Sequence, residues 1–155
     1  MDLLLWRHAH AHDALPGQSD MDRALSRKGE KQASAMANWL NERLPADTLI
    51  LCSPAKRTLQ TVAFLNRAYQ VCDDIAPDGN ASALLNAVDW PHAKHTVLVV
   101  AHQPFLAETV GQLLHLNLER PMSFRKGGLW WIRHQVKEAC SDVQLVCVQN
   151  PEVVI

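Results

Sequence analysis

Two arginines and two histidines of this chain stand just past apolar runs of strand length. Leu3-Leu4-Leu5-Trp6 leads into Arg7-His8, and Thr48-Leu49-Ile50-Leu51-Cys52 leads into Ser53-Pro54-Ala55-Lys56-Arg57. The run from His95 to Ala101 ends in His102-Gln103-Pro104. A guanidinium offers a planar fork matched to phosphate oxygens, and a neutral imidazole is a nitrogen nucleophile. Taken singly, Arg7 and Arg57 read as surface cations, His8 as a core histidine and His102 as a helix cap. Taken together, parallel strands would bring all three ends to one sheet edge, where open α/β sheets gather ligands. Helix N-termini at that edge would add partial positive charge. The combination suits a dianionic phosphoryl group with an imidazole in line.

The elements that must hold these residues can be read from the apolar pattern. Leu3–Trp6 and His95–His102 are apolar on both faces, the mark of buried parallel strands. Residues 11–22 carry Pro16, Gly17, Ser19 and Asp20 and read as a loop. Ser26 is placed as the N-cap of a helix whose apolar stripe is Ala33, Met36, Ala37, Leu40 and Leu44, stopped by Pro45. Pro54 is placed in the first turn of a helix running through Leu59, Val62 and Ala63 towards Tyr69. A weaker strand is expected over 70–75, a turn at Pro77-Asp78-Gly79-Asn80, and a short helix over 81–88. A further helix follows Pro104. Leu129–Arg133 and Val143–Val148, with no helix between them, predict an antiparallel hairpin at one edge. The expected architecture is α/β, in three layers: a mostly parallel sheet flanked by helices, with an antiparallel C-terminal edge, in a single domain spanning residues 1–155.

Composition bounds the partners. With 155 residues and 48% hydrophobic content there is enough apolar material for one substantial core. The net charge of -1, without a basic stripe, argues against nucleic acid and anionic membrane surfaces. Met1-Asp2 followed by four apolar residues lacks the flank and length of a signal peptide, and no run is long enough to span a bilayer. Cys52, Cys72, Cys140 and Cys147 show no Cys-x-x-Cys spacing and read as reduced thiols, so a cytoplasmic location is expected.

Arg7-His8, Leu25-Ser26-Arg27-Lys28-Gly29, Ser53-Pro54-Ala55-Lys56-Arg57-Thr58-Leu59-Gln60-Thr61 and Ala101-His102-Gln103-Pro104 resemble, in order and spacing, the histidine phosphatase superfamily (branch 1). The short chain, and Phe124-Arg125-Lys126-Gly127-Gly128 before the late strands, look most like its SixA-type phosphohistidine phosphatase branch. The resemblance covers nearly the whole chain, and Ser-Pro-x-x-Arg-x-x-Gln-Thr is its most specific piece. It implies a phosphoglycerate mutase-like fold and a metal-independent hydrolase without a cofactor. In that reading His8 is the nucleophile that takes the phosphoryl group. Arg7 and Arg57 clamp its oxygens, His102 donates to charge in the transition state, and Ser53 joins the phosphate-binding set. The expected substrate is phosphohistidine on a phosphotransfer protein, or a small phosphorylated molecule, and a monomer would suffice. His8 would need its other ring nitrogen held by an acceptor such as a backbone carbonyl.

Two positions depart from the family, which usually has Gly after the nucleophilic His and before the second His. Ala9 and Ala101 stand there, and a narrower pocket floor is expected. No carboxylate is marked as a general acid: Glu108 falls in the helix after His102, and Asp78 and Asp89 in loops. A phosphoramidate N–P bond leaves more readily than an alkyl P–O bond, which favours phosphohistidine. Alternatives remain. One is a broad-specificity phosphomonoesterase of the same family, another a catalytically silent phosphate-binding module. The third is a metal-dependent hydrolase using His8, His10 and His12 on alternate positions. Otherwise His10 and His12 are loop residues near the mouth, available to relay a proton. Trp130 and Trp131 read as sheet packing, and Arg125-Lys126-Gly127-Gly128 as a solvated loop within reach of a substrate.

Overall fold

The first strand, β1 (Asp2–Arg7), is fully buried from Leu3 to Trp6. Alternation along it decides the layering. Leu3 and Leu5 face one core, and Leu4 and Trp6 face a second on the opposite side of the sheet. The computed structural model describes residues 1–120 and 122–155. In it, β1 lies beside β4 (Val97–Ala101), which is parallel to it and pairs on its other side with β2 (Leu49–Cys52), also parallel. The short β3 (Gln70–Val71) closes that edge. On the other side β5 (Leu129–Lys137) runs antiparallel to β1 and forms a hairpin with β6 (Cys140–Gln149). The sheet order is β3-β2-β4-β1-β5-β6.

Helices cover both faces. α1 (Arg27–Asn41) and α2 (Lys56–Ala63) pack Met36, Ala37, Leu40 and Val62 against Leu4, Trp6, Leu98 and Val100. α3 (Ala81–Ala87) and α4 (Phe105–Leu113) pack Leu84, Phe105, Leu106 and Val110 against Leu3, Leu5, Val97 and Val99. A last turn, α5 (Pro151–Val154), leans on α1. The mostly parallel, helix-flanked sheet with an antiparallel C-terminal side is the architecture the pattern predicts.

Boundaries differ in places for local reasons. α2 begins at Lys56, because Ala55 is still extended (φ -65°, ψ 143°). It ends at Ala63 rather than near Tyr69, and Asn66 soon follows in the left-handed region (φ 53°). The strand expected over 70–75 shrinks to two residues, followed by a 3₁₀ turn at Asp73–Ile75. No helix among the described residues is long and apolar enough to cross a membrane.

Candidate active site

Register sets the site. Arg7 pairs with Ala101 and Cys52 with Val100, so the carboxyl ends of β1, β2 and β4 are level. One residue further on, the His8 N–H donates to Ala101 O (3.1 Å) and the Ser53 N–H to Val100 O (3.0 Å). These bonds hold both residues at the sheet edge. The loop 124–128 straps the end of β1. The Arg7 N–H donates to Gly128 O, and the Gly127 N–H to His8 O. Trp6, fully buried, spends its indole N–H on Gly127 O (3.0 Å), the partner a buried tryptophan needs. Arg125-Lys126-Gly127-Gly128 is therefore more than a solvated loop: its glycines are buried and bond to the end of β1, while Arg125 and Lys126 are exposed.

His8 is nearly buried and its Nδ1 lies 2.8 Å from Ala9 O. A proton on Nδ1 donates to that carbonyl, which leaves Nε2 as the nitrogen that can approach phosphorus. Burial, then the neighbouring His102, Arg57 and Arg7, push the imidazole pKa down to about 3. The ring is therefore neutral at pH 7, as a nucleophile must be. The His102 ring centroid is 5.3 Å from that of His8. Burial and the Arg57 charge lower the His102 pKa to about 3 as well.

Arg57, in the first turn of α2, is buried. Its Nη1 donates to Asp20 O (2.8 Å) and its Nη2 to Asp20 Oδ2 (3.0 Å). Arg7 donates through Nη1 to Phe124 O. Burial and the Arg57 charge hold the Arg7 pKa below its ordinary value. Among the described residues, three buried side-chain nitrogens lack a hydrogen-bond partner: Arg7 Nε, Arg57 Nε and His102 Nδ1. Buried polar groups are almost always paired, so two guanidinium N–H groups and an imidazole nitrogen left over at one sheet edge have the character of an anion site.

Ser53 is placed differently from expectation. It is fully buried, its Oγ is 2.7 Å from His102 Nε2, and it accepts from the Ala55 N–H (3.4 Å). Its hydroxyl braces the His102 ring. Ala9 and Ala101 each pack within an apolar cluster. Both are fully buried, Ala9 against Ala11, Leu25 and Ala33, and Ala101 in the core on the α4 side. Neither is among the residues of positive φ, so glycine is not required there.

The three histidines of the metal alternative separate. His8 Nδ1 meets Ala9 O, His10 Nδ1 meets Ser26 Oγ (2.6 Å), and His12 is exposed beyond a bridge between Ala11 and Leu25. Among the described residues no three His, Cys, Asp or Glu side chains converge as metal ligands. Of the carboxylates weighed as acids, Glu108 lies beside Leu116 and Leu118 on the outer side of α4, and Asp78 and Asp89 are exposed.

The model of the histidine phosphatase superfamily (branch 1) matches residues 3–78. The phosphohistidine phosphatase SixA of Escherichia coli is 31% identical over 122 residues, covering 73% of this chain and 74% of the relative. The chain belongs to the histidine phosphatase superfamily. A SixA homologue from Haemophilus influenzae is 27% identical, over 80% of this chain and 82% of its own. A solved structure from Agrobacterium tumefaciens, provisionally described as the phosphohistidine phosphatase SixA, superposes with a TM-score of 0.81. It is 26% identical and covers 97% of each chain. The protein is thus a phosphatase-class hydrolase of the SixA type.

Gln60 and Thr61 lie three and four positions after Arg57, on the same side of α2. Gln60 Oε1 accepts from the Leu25 N–H (2.7 Å) and Thr61 Oγ1 from the Ala9 N–H (3.1 Å). One helical turn thereby aims Arg57 and ties down the loops on either side of it. Asp20, the partner of Arg57, was hidden in a loop whose composition signals only a turn.

Proposed function

We propose that the protein removes the phosphoryl group from phosphohistidine carried on a phosphotransfer protein, through a covalent intermediate on His8. The observation that carries this is the set of unpaired buried nitrogens on Arg7, Arg57 and His102 beside a neutral imidazole. In this reading Nε2 of His8 attacks phosphorus and the N–P bond of the substrate breaks. The departing imidazole leaves protonated, and water later attacks the phosphorylated His8. Arg7, Arg57 and His102 hold the three equatorial oxygens, where charge gathers. Charge-assisted hydrogen bonds contribute roughly 1.5–3 kcal/mol each, enough for three donors to supply much of the stabilisation.

Leaving-group chemistry favours nitrogen over oxygen. Among the described residues, Asp20 is the carboxylate bonded to a member of this set, and Arg57 and Arg23 hold its carboxyl below the usual range. A carboxylate kept ionised is a poor acid for an alkoxide but is not needed for an imidazole. A small-molecule phosphomonoesterase is the second reading. The proposal takes residues 1–155 as one catalytic domain in a reducing, cytoplasmic setting, consistent with four unpaired thiols.

The test is to mix the protein with a labelled phosphodonor, quench, and seek an acid-labile, base-stable adduct that His8→Ala abolishes. A catalytically silent binding module gives no adduct. Equal turnover of a phosphosugar and a phosphohistidine peptide would favour the second reading, and loss of activity in chelator would restore the metal alternative.

A further inference from the structure

Arg7 also lines an open cleft of about 370 Å³. In a chain of net charge -1 it gathers Arg7, Lys28, Arg125 and Lys126 against a single acid, Glu152, with His10 at its wall. Arg7 joins the two compartments. Its Nη1 is bonded to Phe124 O in the cleft wall, while it is close enough to Arg57 for that charge to lower its pKa.

The cations are not there for the fold. Arg27 and Lys28 occupy the first turn of α1, where positive charge opposes the helix dipole, and Glu30 is the acid of that turn. Neither Lys28 nor Lys126 has an ion-pair partner among the described residues. Arg125 has a loose one, 3.9 Å from Glu152 with both side chains at least half exposed, a pairing that exchanges easily with a competing carboxylate. Both lysines also disfavour a charged His10, which places them around the same wall. On the loop before α1, Asp13, Asp20 and Asp22 are exposed, Asp20 being paired with Arg57 and Arg23.

We propose that this cleft docks acidic side chains that flank the phosphohistidine on the substrate protein, and so sets which phosphoproteins the enzyme accepts. The inference rests on the phosphohistidine reading above. Three exposed cations on long, mobile stems, set on two separate segments, suit several carboxylates of a folded partner. A small bisphosphate would call for a fixed, buried fork.

The experiment compares wild type with the double variant Lys28→Glu/Lys126→Glu on three substrates. These are a phosphohistidine peptide flanked by Glu, the same peptide flanked by Gln, and phosphoimidazole, which has no carboxylate. Wild type is expected to prefer the Glu peptide at least fivefold in kcat/KM at low salt, the preference shrinking as salt rises. The variant is expected to lose or reverse it, with less than twofold change on the other two substrates. Lys28→Glu relieves the charge at the α1 N-terminus, so the melting temperature should not fall. An equal loss on all three substrates, or a preference that survives in the variant, overturns the docking role while leaving the reaction assigned. So does loss of bisphosphate inhibition in the variant without any Glu preference in wild type. Wild type that turns over phosphomonoesters but none of the three removes the phosphohistidine reading itself, and the docking role with it.

Discussion

Ser53 Oγ lies 2.7 Å from Nε2 of His102, at the far side of the ring from the unpaired Nδ1. In the proposed reaction His102 donates from Nδ1, which requires the Ser53 hydroxyl to donate to Nε2 while its oxygen accepts from the Ala55 N–H. In that reading Ser53 holds His102 in the tautomer that donates towards the phosphoryl group. In Ser53→Ala the ring can adopt the other tautomer. A fall in kcat of about ten- to a hundredfold is expected, with KM changed far less. Nitrogen NMR of the ring should report a mixture of tautomers. The buried Nε2 left without a partner should also cost about 1–3 kcal/mol of stability. Wild-type kcat in Ser53→Ala, with a single tautomer retained, would show that Ser53 does not orient the ring.

Two neutral buried imidazoles make stability depend on mild acid. His8 and His102 have pKa values of about 3 in the fold, against 6.5 for a free side chain. Between those values the unfolded chain binds protons that the native chain does not, so stability rises with pH across the window and is complete above about 6.5. Acidification from there towards 3 removes it, at up to about 1.4 kcal/mol per pH unit for each ring. Asp2 and Asp20 have carboxyls held below 3.8 and stay out of the upper part of this window. Urea denaturation between pH 7.5 and 5 should show the slope, and His8→Gln should remove about half of it. Ring resonances of His8 that titrate near pH 6.5 in the native protein would contradict this.

Asp20 sets how strongly Arg57 meets an incoming anion. Its carboxylate oxygen holds Nη2 and its backbone oxygen holds Nη1, so the fork is fixed while Nε stays available. The same negative charge repels a phosphoryl group. Asp20→Asn keeps an oxygen acceptor for Nη2 and removes the charge. The carboxylate is half exposed, so the relief is on the order of 1 kcal/mol, and vanadate should inhibit about fivefold more strongly. Asp20→Ala, which also frees the guanidinium, should lower kcat. Vanadate inhibition unchanged in Asp20→Asn would remove the electrostatic part of the account.

The strands and the two larger helices were legible because each has one strong period. Leu3–Trp6 and Val97–Ala101 are apolar on both faces, and α1 announces itself with Ser26 and a clean stripe. The level ends of three parallel strands followed from that reading, and with them the approach of Arg7, His8, Arg57 and His102. What stayed hidden was the work of short polar contacts between distant segments. Nothing local in Ser53 distinguishes a ligand for phosphate from a brace for His102. Nothing in residues 11–22 marks Asp20 as the counter-ion of a residue 37 positions away. The loop at Arg125–Gly128 looked solvated because its charged half is exposed, while its glycine half bonds to β1.

Gly29 shows how closely α1 approaches the catalytic edge. It is the third residue of the helix, buried, and its N–H donates to the Ser26 cap (3.1 Å). A Cβ there would collide with the backbone carbonyl of His10, whose own oxygen accepts from the Ser26 N–H (3.0 Å). Helix propensity alone says that Gly29→Ala should stabilise by up to about 1 kcal/mol. The collision is with backbone and cannot be relieved by a rotamer, so the opposite sign is expected. The variant should lose about 2–4 kcal/mol in urea denaturation. Because residues 8–10 include His8, the proposed nucleophile, kcat should fall as well, and by more than in Gly111→Ala, where a Cβ on α4 meets nothing within 4 Å. A Gly29→Ala protein as stable and active as Gly111→Ala would mean that α1 can move away from His10 at no cost.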